Sequence, residues 1–160
     1  MNIFILDLDP KTCAKYHCDK HVIKMVLESA QLLSTAHWVL NSDIKEQLYL
    51  PTHTKHPCSI WTSASLDNYK WLYNLFNELA KEYEFRYNKH HRTHFLLSDK
   101  LINPPSNIPD IGLTEFAQAM PDKYKDKDKD PVIAYRNYYI GEKYKIAKWC
   151  YPTQVPEWFK

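Results

Sequence analysis

The sequence predicts a mostly α-helical fold: a compact bundle in a single domain over residues 1–160, with a short extended amino-terminal segment and an irregular aromatic carboxy-terminal tail. Three observations predict it. Apolar residues recur at helical spacing through much of the chain. The 160 residues, 44% of them hydrophobic, are enough to build one core. No repeat or linker divides them, so a second domain is not indicated.

The elements follow from local start and stop signals. Residues 2–7 are predicted to form a short buried extended segment. Asp9 can cap a helix and Pro10 suits the first helical position, so a long helix is predicted from there to about Leu40. The remaining predicted features are a break near Cys18-Asp19, a loop over 41–57, one or two helices over 58–92, an irregular segment over 98–112, a short helix over Thr114–Met120 capped by Thr114, a charged loop over 122–130, a last helix from Pro131 to about Lys148, and a tail over Tyr151–Lys160.

Composition excludes several function classes. The chain has only two glycines, Gly112 and Gly141, so it has no Gly-rich phosphate loop, no GxGxxG dinucleotide turn and no GxSxG nucleophile elbow. Its net charge of +2 is not that of a non-specific nucleic-acid coat. It shows no signal peptide and no run near the ~20 apolar residues of a membrane span. Its four cysteines form no CxxC motif, so we expect a cytoplasmic protein with free thiols and no membrane partner.

A polar stripe runs along the predicted helix between residues 21 and 38. Its members are three or four residues apart and share one face: His21, Lys24, Glu28, Gln31 and Thr35. Two interpretations stay open. The face can be solvated, with a Lys24–Glu28 ion pair, or it can line a cleft in which a carboxylate flanked by His and Lys does acid–base work. Apolar residues on both sides of the stripe favour the cleft.

Histidine spacing raises a metal-binding alternative. His17 and His21, like His90 and His94, lie four residues apart, so each pair can share a helix face. There is no HExxH motif and no zinc-finger spacing, so the default is histidines without metal, and no cofactor is expected. For a metal-dependent hydrolase or oxygenase, the candidate ligands would be His17, His21, Glu28, His56, His90 and His94.

Two basic clusters are candidate nucleic-acid surfaces, because cations contact phosphates and aromatic rings stack on bases. The residues concerned are Arg136, Lys143 and Trp149 in the last helical region, and Arg86, Lys89 and His91 at the end of the middle helices. The alternative interpretation places the Tyr and Trp rings of the last helix in the core and leaves only its lysines outside.

The chain also resembles known proteins. The phrases similar to a group of phage-encoded proteins are Asp19–Lys24, Glu28–Gln31, His56-Pro57 with Trp61, Asn68–Leu72, Glu82-Tyr83, Arg86-Tyr87, Phe116–Pro121 and Tyr135-Arg136. Roughly residues 1–95 are more distantly similar to the phage pyrimidine-dimer DNA glycosylase family. That resemblance includes the separation of His21 from Glu28, the His56-Pro57 pair before a second long helix, Arg86-Tyr87 near its end, and a basic, aromatic tail.

The resemblance implies a compact, mostly helical DNA-repair enzyme. In that family a free α-amine at the chain start attacks C1′ of the damaged nucleotide, and a glutamate stabilises the charge on the sugar and assists β-elimination. An α-amine ordinarily titrates near pH ~8, so it is a workable nucleophile at neutral pH. A residue the size of Asn2 generally leaves Met1 in place, so the implied nucleophile is the Met1 amine, with Lys24 as the alternative.

The resemblance and the patterns together name the candidate site. The candidate catalytic residues are Met1, His21, Lys24 and Glu28, and the candidate nucleic-acid contacts are Gln31, His56, Arg86, Lys89, His91, Arg136, Lys143 and Trp149. The expected partner is duplex DNA, kinked so that a base leaves the stack, and the expected state is a monomer in the cytoplasm of a phage-infected cell. The alternatives are a metal-dependent hydrolase and a non-catalytic phage protein that sequesters a nucleotide or blocks a host factor.

Overall fold

The computed structural model describes all 160 residues, and its regular structure is entirely helical. The α-helices are α1 (Pro10–Tyr16), α2 (Asp19–Val39), α3 (Pro57–Ala64), α4 (Leu66–Tyr87), α5 (Arg92–Leu101) and α6 (Pro131–Tyr138). Short 3-10 turns cover Lys45–Gln47, Asp122–Tyr124 and Glu157–Phe159, and a π-turn covers Tyr139–Lys143. The predicted mostly α-helical class is confirmed. None of the helices combines the length and apolar character needed to cross a bilayer.

Local capping explains where three of the helices begin. Asp9 accepts a hydrogen bond from the Thr12 amide at 2.9 Å, with Pro10 at the first helical position. Asp130 does the same for the start of α6, where Pro131 follows it. At α3 the acceptor is the His56 ring, 3.1 Å from the Cys58 amide. These caps satisfy amide groups that have no partner inside a helix, so the predicted starts at Pro10 and Pro131 are confirmed.

The core forms where α2 and α4 pack together, with α1, α3 and α5 around them. The predicted break between α1 and α2 occurs at His17 and Cys18, and both side chains are buried there. Residues 3–6 are irregular and buried against this core, as the sequence predicts for an apolar run. The aromatic tail docks on the same core, with the Trp158 ring edge-on to Tyr16 and Tyr139.

The helix predicted over Thr114–Met120 is wrong, because the residues before Met120 are irregular. Thr114 donates its amide to the Asn68 side chain at 2.9 Å instead of capping a helix. The Phe116 ring lies 5.0 Å from Trp61 and 4.8 Å from Trp71. Tertiary hydrogen bonds and ring packing thus replace the helical hydrogen bonds of this segment.

Two other boundaries differ from the prediction. The segment predicted as irregular over 98–112 begins inside α5, whose start at the His91 cap the sequence analysis missed. The last helix does not run to Lys148: it ends at Tyr138 and widens into the π-turn. Within that turn Gly141 lies against the Tyr124 ring, so a larger residue there would have to displace the Tyr124 side chain.

Arg86 is a buried ionic hub, and our expectation that it contacts phosphate is wrong. Its side chain is 0% exposed and forms ion pairs at 2.9 Å with Asp19 and with Glu82. It also donates to the carbonyl oxygens of His17 and Lys15, which lie at the end of α1. The guanidinium therefore has no free face for DNA, and it ties α1, α2 and α4 together.

Replacing Arg86 with Met should lower the free energy of unfolding by about 3 kcal/mol, because it leaves two largely buried carboxylates without their cation. Urea denaturation checks this. Arg92→Met is the matched control, since Arg92 is exposed and forms no ion pair. Equal losses in the two variants would contradict the hub.

Stability should also fall in mild acid, because burial lowers the pKa of His17 and of His37 from 6.5 to about 4. Between those pH values the unfolded chain binds protons on these rings and the folded chain does not. The free energy of unfolding is therefore highest above pH 6.5. As the pH drops below 6.5, it decreases by about 1.4 kcal/mol per pH unit for each ring. Urea denaturation at pH 7 and pH 5 measures this, and His37→Gln should make the dependence shallower. Identical free energies at both pH values would contradict it.

Candidate active site

A cavity of about 240 Å³ opens between α2, the first residues of the chain and the end of α6. Its lining residues are Met1, Asn2, Phe4, His21, Lys24, Met25, Glu28, Tyr138 and Lys143. All four candidate catalytic residues are among them. Three members of the polar stripe, His21, Lys24 and Glu28, therefore border the cavity. The solvated-face interpretation is wrong for Glu28, which is only 8% exposed.

Glu28 lies between two positive groups. Its Oε2 is 3.8 Å from the α-amine of Met1, and the Asn2 amide donates to the same oxygen at 3.2 Å. Its Oε1 is 3.3 Å from Lys24 Nζ, whose side chain is 63% exposed at the cavity rim. The carboxylate thus holds the chain start on one side and a solvated cation on the other.

The chain start is fixed by side chains on both sides of the peptide. The Met1 side chain is 3% exposed, and its Sδ lies 3.9 Å from Ser59 Oγ. The Asn2 side chain donates to the Ala119 carbonyl at 2.8 Å, and its Oδ1 is 3.0 Å from the Tyr135 hydroxyl. With these anchors, the α-amine keeps a defined position beside Glu28.

His21 is held in the cavity wall as a neutral ring. It stacks on Phe4 with ring centroids 4.5 Å apart, and its Nδ1 lies 2.5 Å from the Tyr139 hydroxyl. Burial lowers the pKa of His21 to about 3, and the nearby positive charges of Lys143 and Lys24 act in the same direction. A ring that stays neutral at physiological pH can accept or donate one hydrogen bond on each nitrogen, but it is not a cation for phosphate.

Two candidate nucleic-acid contacts, His56 and Gln31, are absent from the cavity lining. Burial lowers the pKa of His56, and the α-amine lowers it further while Glu28 opposes the shift. The His56 ring is engaged in capping α3, where its Nδ1 accepts a hydrogen bond from the Cys58 amide. Gln31 is half-buried on α2, one turn after Glu28.

The remaining candidate nucleic-acid contacts do not line the cavity. Lys89 is exposed just beyond α4. The His91 ring caps α5 and contacts the Ile23 carbonyl at 3.0 Å. Arg136 donates to the Leu6 carbonyl at 3.0 Å.

Trp149 is half-buried and packs against the core. Its indole N–H donates to the Tyr16 carbonyl at 3.1 Å, and its ring packs 4.8 Å from Phe159. These contacts favour the core interpretation of the late aromatic residues, and base stacking by Trp149 stays a prediction.

Sequence reasoning missed the residues that complete the cavity from the end of the chain. Tyr138 lines it, Tyr135 holds Asn2, and Tyr139 holds His21. The four-residue spacing of Tyr135 and Tyr139 was a usable signal, because it places both rings on one helix face. What they face could not be read from spacing.

The candidate metal ligands do not form a metal site in the structure. Across the 160 residues, no group of three or more His, Cys, Asp or Glu side chains is arranged to hold a metal ion. His90 instead pairs with Glu84 at 3.2 Å, and His94 contacts Asn77 at 2.8 Å.

Comparison with known proteins identifies a family. A family model described as pyrimidine dimer DNA glycosylase matches residues 1–95, which contain all four candidate catalytic residues. Searches of curated proteins and of solved structures found no match. Tyr138 and Lys143 come from outside the matched region. The match covers more than half of the chain, which confirms the resemblance seen in the sequence. The chain therefore belongs to the pyrimidine dimer DNA glycosylase family.

Proposed function

We propose that this chain is a DNA glycosylase and AP lyase that acts on damaged or modified pyrimidines in duplex DNA, with the Met1 α-amine as its nucleophile. The observation that carries the proposal is the α-amine of Met1, 3.8 Å from the mostly buried Glu28 carboxylate at a cavity. Membership of the family supports the reaction class and DNA as the partner. A monomeric, single-domain state and a location in the cytoplasm of a phage-infected cell stay predictions.

The chemistry uses the amine as a covalent catalyst. The α-amine, which faces Glu28 as an ammonium group, first loses a proton to water. The neutral amine then donates its lone pair to C1′, and the glycosidic C1′–N bond breaks with its electrons leaving on the base. The nitrogen then loses a proton, and the C1′–O4′ bond opens as the ring oxygen takes one up, which leaves a Schiff base. Loss of a C2′ proton lets the 3′ phosphate leave by β-elimination.

Glu28 suits two parts of this sequence. Its negative charge lies beside the α-amine, so it can stabilise the cationic sugar and the protonated Schiff base that form there. Its carboxylate can also accept a proton within the cavity. His21, being neutral, would contact the nucleotide by hydrogen bonding.

Lys24 and Lys143 are the cations best placed for the phosphates beside the lesion. Lys24 stands at the rim on α2, and Lys143 enters from the π-turn, with Nζ 4.8 Å from the Tyr138 ring centroid. Together they border the cavity from two elements, so DNA phosphates could be held while the sugar meets the amine. Gln31 and His56 are secondary contacts in this proposal, with Lys89, His91 and Arg136 at the periphery.

Borohydride trapping should give a covalent adduct between the protein and duplex DNA that carries a pyrimidine dimer or an abasic site. Acetylating the α-amine should abolish the adduct, because an acetylated nitrogen cannot form a Schiff base. Glu28→Gln should slow its formation on the order of 100-fold, since charge stabilisation is lost while the shape is kept. Gel electrophoresis of the adduct over time measures both effects.

Glu46→Gln is the matched control, since Glu46 is exposed outside the cavity. It should form the adduct at the wild-type rate. Folded protein that binds the damaged duplex but gives no adduct would contradict the proposal and favour a non-catalytic binding protein.

Lys143→Met should weaken DNA binding and reduce the slope of log K against log salt concentration by about one, because one phosphate contact is lost. The substitution removes the ammonium group that lies over the Phe4 and Tyr138 rings and keeps an unbranched side chain. Fluorescence anisotropy across a salt series measures the slope. Lys127→Met, in the exposed charged loop, is the control. An unchanged slope for Lys143→Met would remove Lys143 from the phosphate contacts.

A further inference from the structure

Tyr139 contacts the active-site histidine from outside the family-matched region. It is fully buried at the start of the π-turn, and its hydroxyl lies 2.5 Å from His21 Nδ1. The same hydroxyl is 3.4 Å from the Cys18 amide nitrogen and 3.7 Å from the Cys18 thiol sulfur. The hydroxyl has one proton, so these three contacts decide where that proton points.

The direction of the hydroxyl proton follows from what each partner can do. The Cys18 amide can only donate, so it occupies a lone pair of the Tyr139 oxygen. The proton must then go to His21 Nδ1 or to the thiol. A thiol sulfur is a weak acceptor and lies farther away, whereas an imidazole nitrogen is a good one. The hydroxyl therefore donates to Nδ1.

This donation fixes the tautomer of His21. A neutral imidazole that accepts at Nδ1 carries its single proton on Nε2. Nε2 has no hydrogen-bond partner in the protein. It is not among the buried polar atoms that lack a partner, and His21 lines the cavity. Lowering of the His21 pKa to about 3 keeps the ring in this neutral form.

We infer that Tyr139 is a positioning residue that holds His21 in its Nε2–H tautomer, so that the ring presents a neutral N–H donor to an oxygen of the bound nucleotide. The inference rests on the proposed function, because such a donor serves the reaction only when a nucleotide occupies the cavity. It gives residues beyond 95 a defined role in a site whose candidate catalytic residues all lie within the matched region.

His17 shows that the partner sets the tautomer. One turn before His21, its Nδ1 lies 2.7 Å from the Cys13 carbonyl oxygen, which can only accept. A neutral His17 therefore carries its proton on Nδ1, and its Nε2 is buried without a partner. Two neighbouring histidines thus hold opposite tautomers, because one meets a carbonyl and the other a hydroxyl.

Nitrogen-15 NMR of the histidine side chains, recorded on the full chain near pH 7, tests the inference. Wild-type His21 should show a protonated Nε2 and an unprotonated Nδ1, with His17 showing the reverse. In Tyr139→Phe the two nitrogen shifts of His21 should move toward each other, because no donor then fixes the proton. Tyr69→Phe is the matched control: its hydroxyl lies 2.9 Å from His37 Nε2, so it should alter His37 and leave His21 unchanged.

The trapping rate supplies the second readout. Tyr139→Phe should slow adduct formation about tenfold, the effect of one neutral hydrogen bond, with little change in DNA affinity. A protonated Nδ1 in wild-type His21 would overturn the inference whatever the activity. An unchanged tautomer or an unchanged trapping rate in Tyr139→Phe would overturn it as well. Absence of any adduct with the wild-type protein would instead overturn the proposed function, while the NMR result would still decide what Tyr139 does.

Discussion

Burial of the first residues of the chain is the constraint on which the candidate site depends. Residues 3–6 lie inside the core without belonging to a helix, so their position is set by packing and by side-chain hydrogen bonds. The Asn2 side chain and the Met1 side chain are the two anchors at the very start. An ordinary chain end is free and solvated, and this one is held against a carboxylate.

Some charged residues hold the helices together, and others line the candidate site. Arg86 is surrounded by acceptors and joins α1, α2 and α4, so it is unavailable to a ligand. Lys24 and Lys143 remain at the cavity, and the buried His21 contributes no charge. In the proposed mechanism these two lysines attract phosphate, while the amine and the mostly buried Glu28 carry out the chemistry.

Local signals predicted those parts of the fold that depend on neighbouring residues. Asp9 with Pro10 marked the start of α1, and the spacing of His21, Lys24 and Glu28 placed them on one helix face. The helix predicted after Thr114 failed because that residue binds Asn68, which is distant in the sequence. A single sequence holds no record of such a contact.

The same limit applies to the aromatic and basic residues late in the chain. Trp149 and Arg136 are residue types that often contact nucleic acids. Here both donate hydrogen bonds to backbone carbonyl groups within the first 16 residues. Tyr139 was visible only as part of a tyrosine-rich run, and its contact with His21 spans more than a hundred residues. In each case the residue type indicated a possible interaction, and the contacts that the side chain makes became visible only in the fold.

In the proposed function the Met1 amine forms the covalent bond with DNA. Peptide mapping of the borohydride-reduced adduct tests it most directly, after trypsin and nuclease digestion and mass spectrometry. We expect the sugar remnant on the α-amine of the peptide Met1–Lys11. A remnant on Lys24, or on any other lysine, would contradict it.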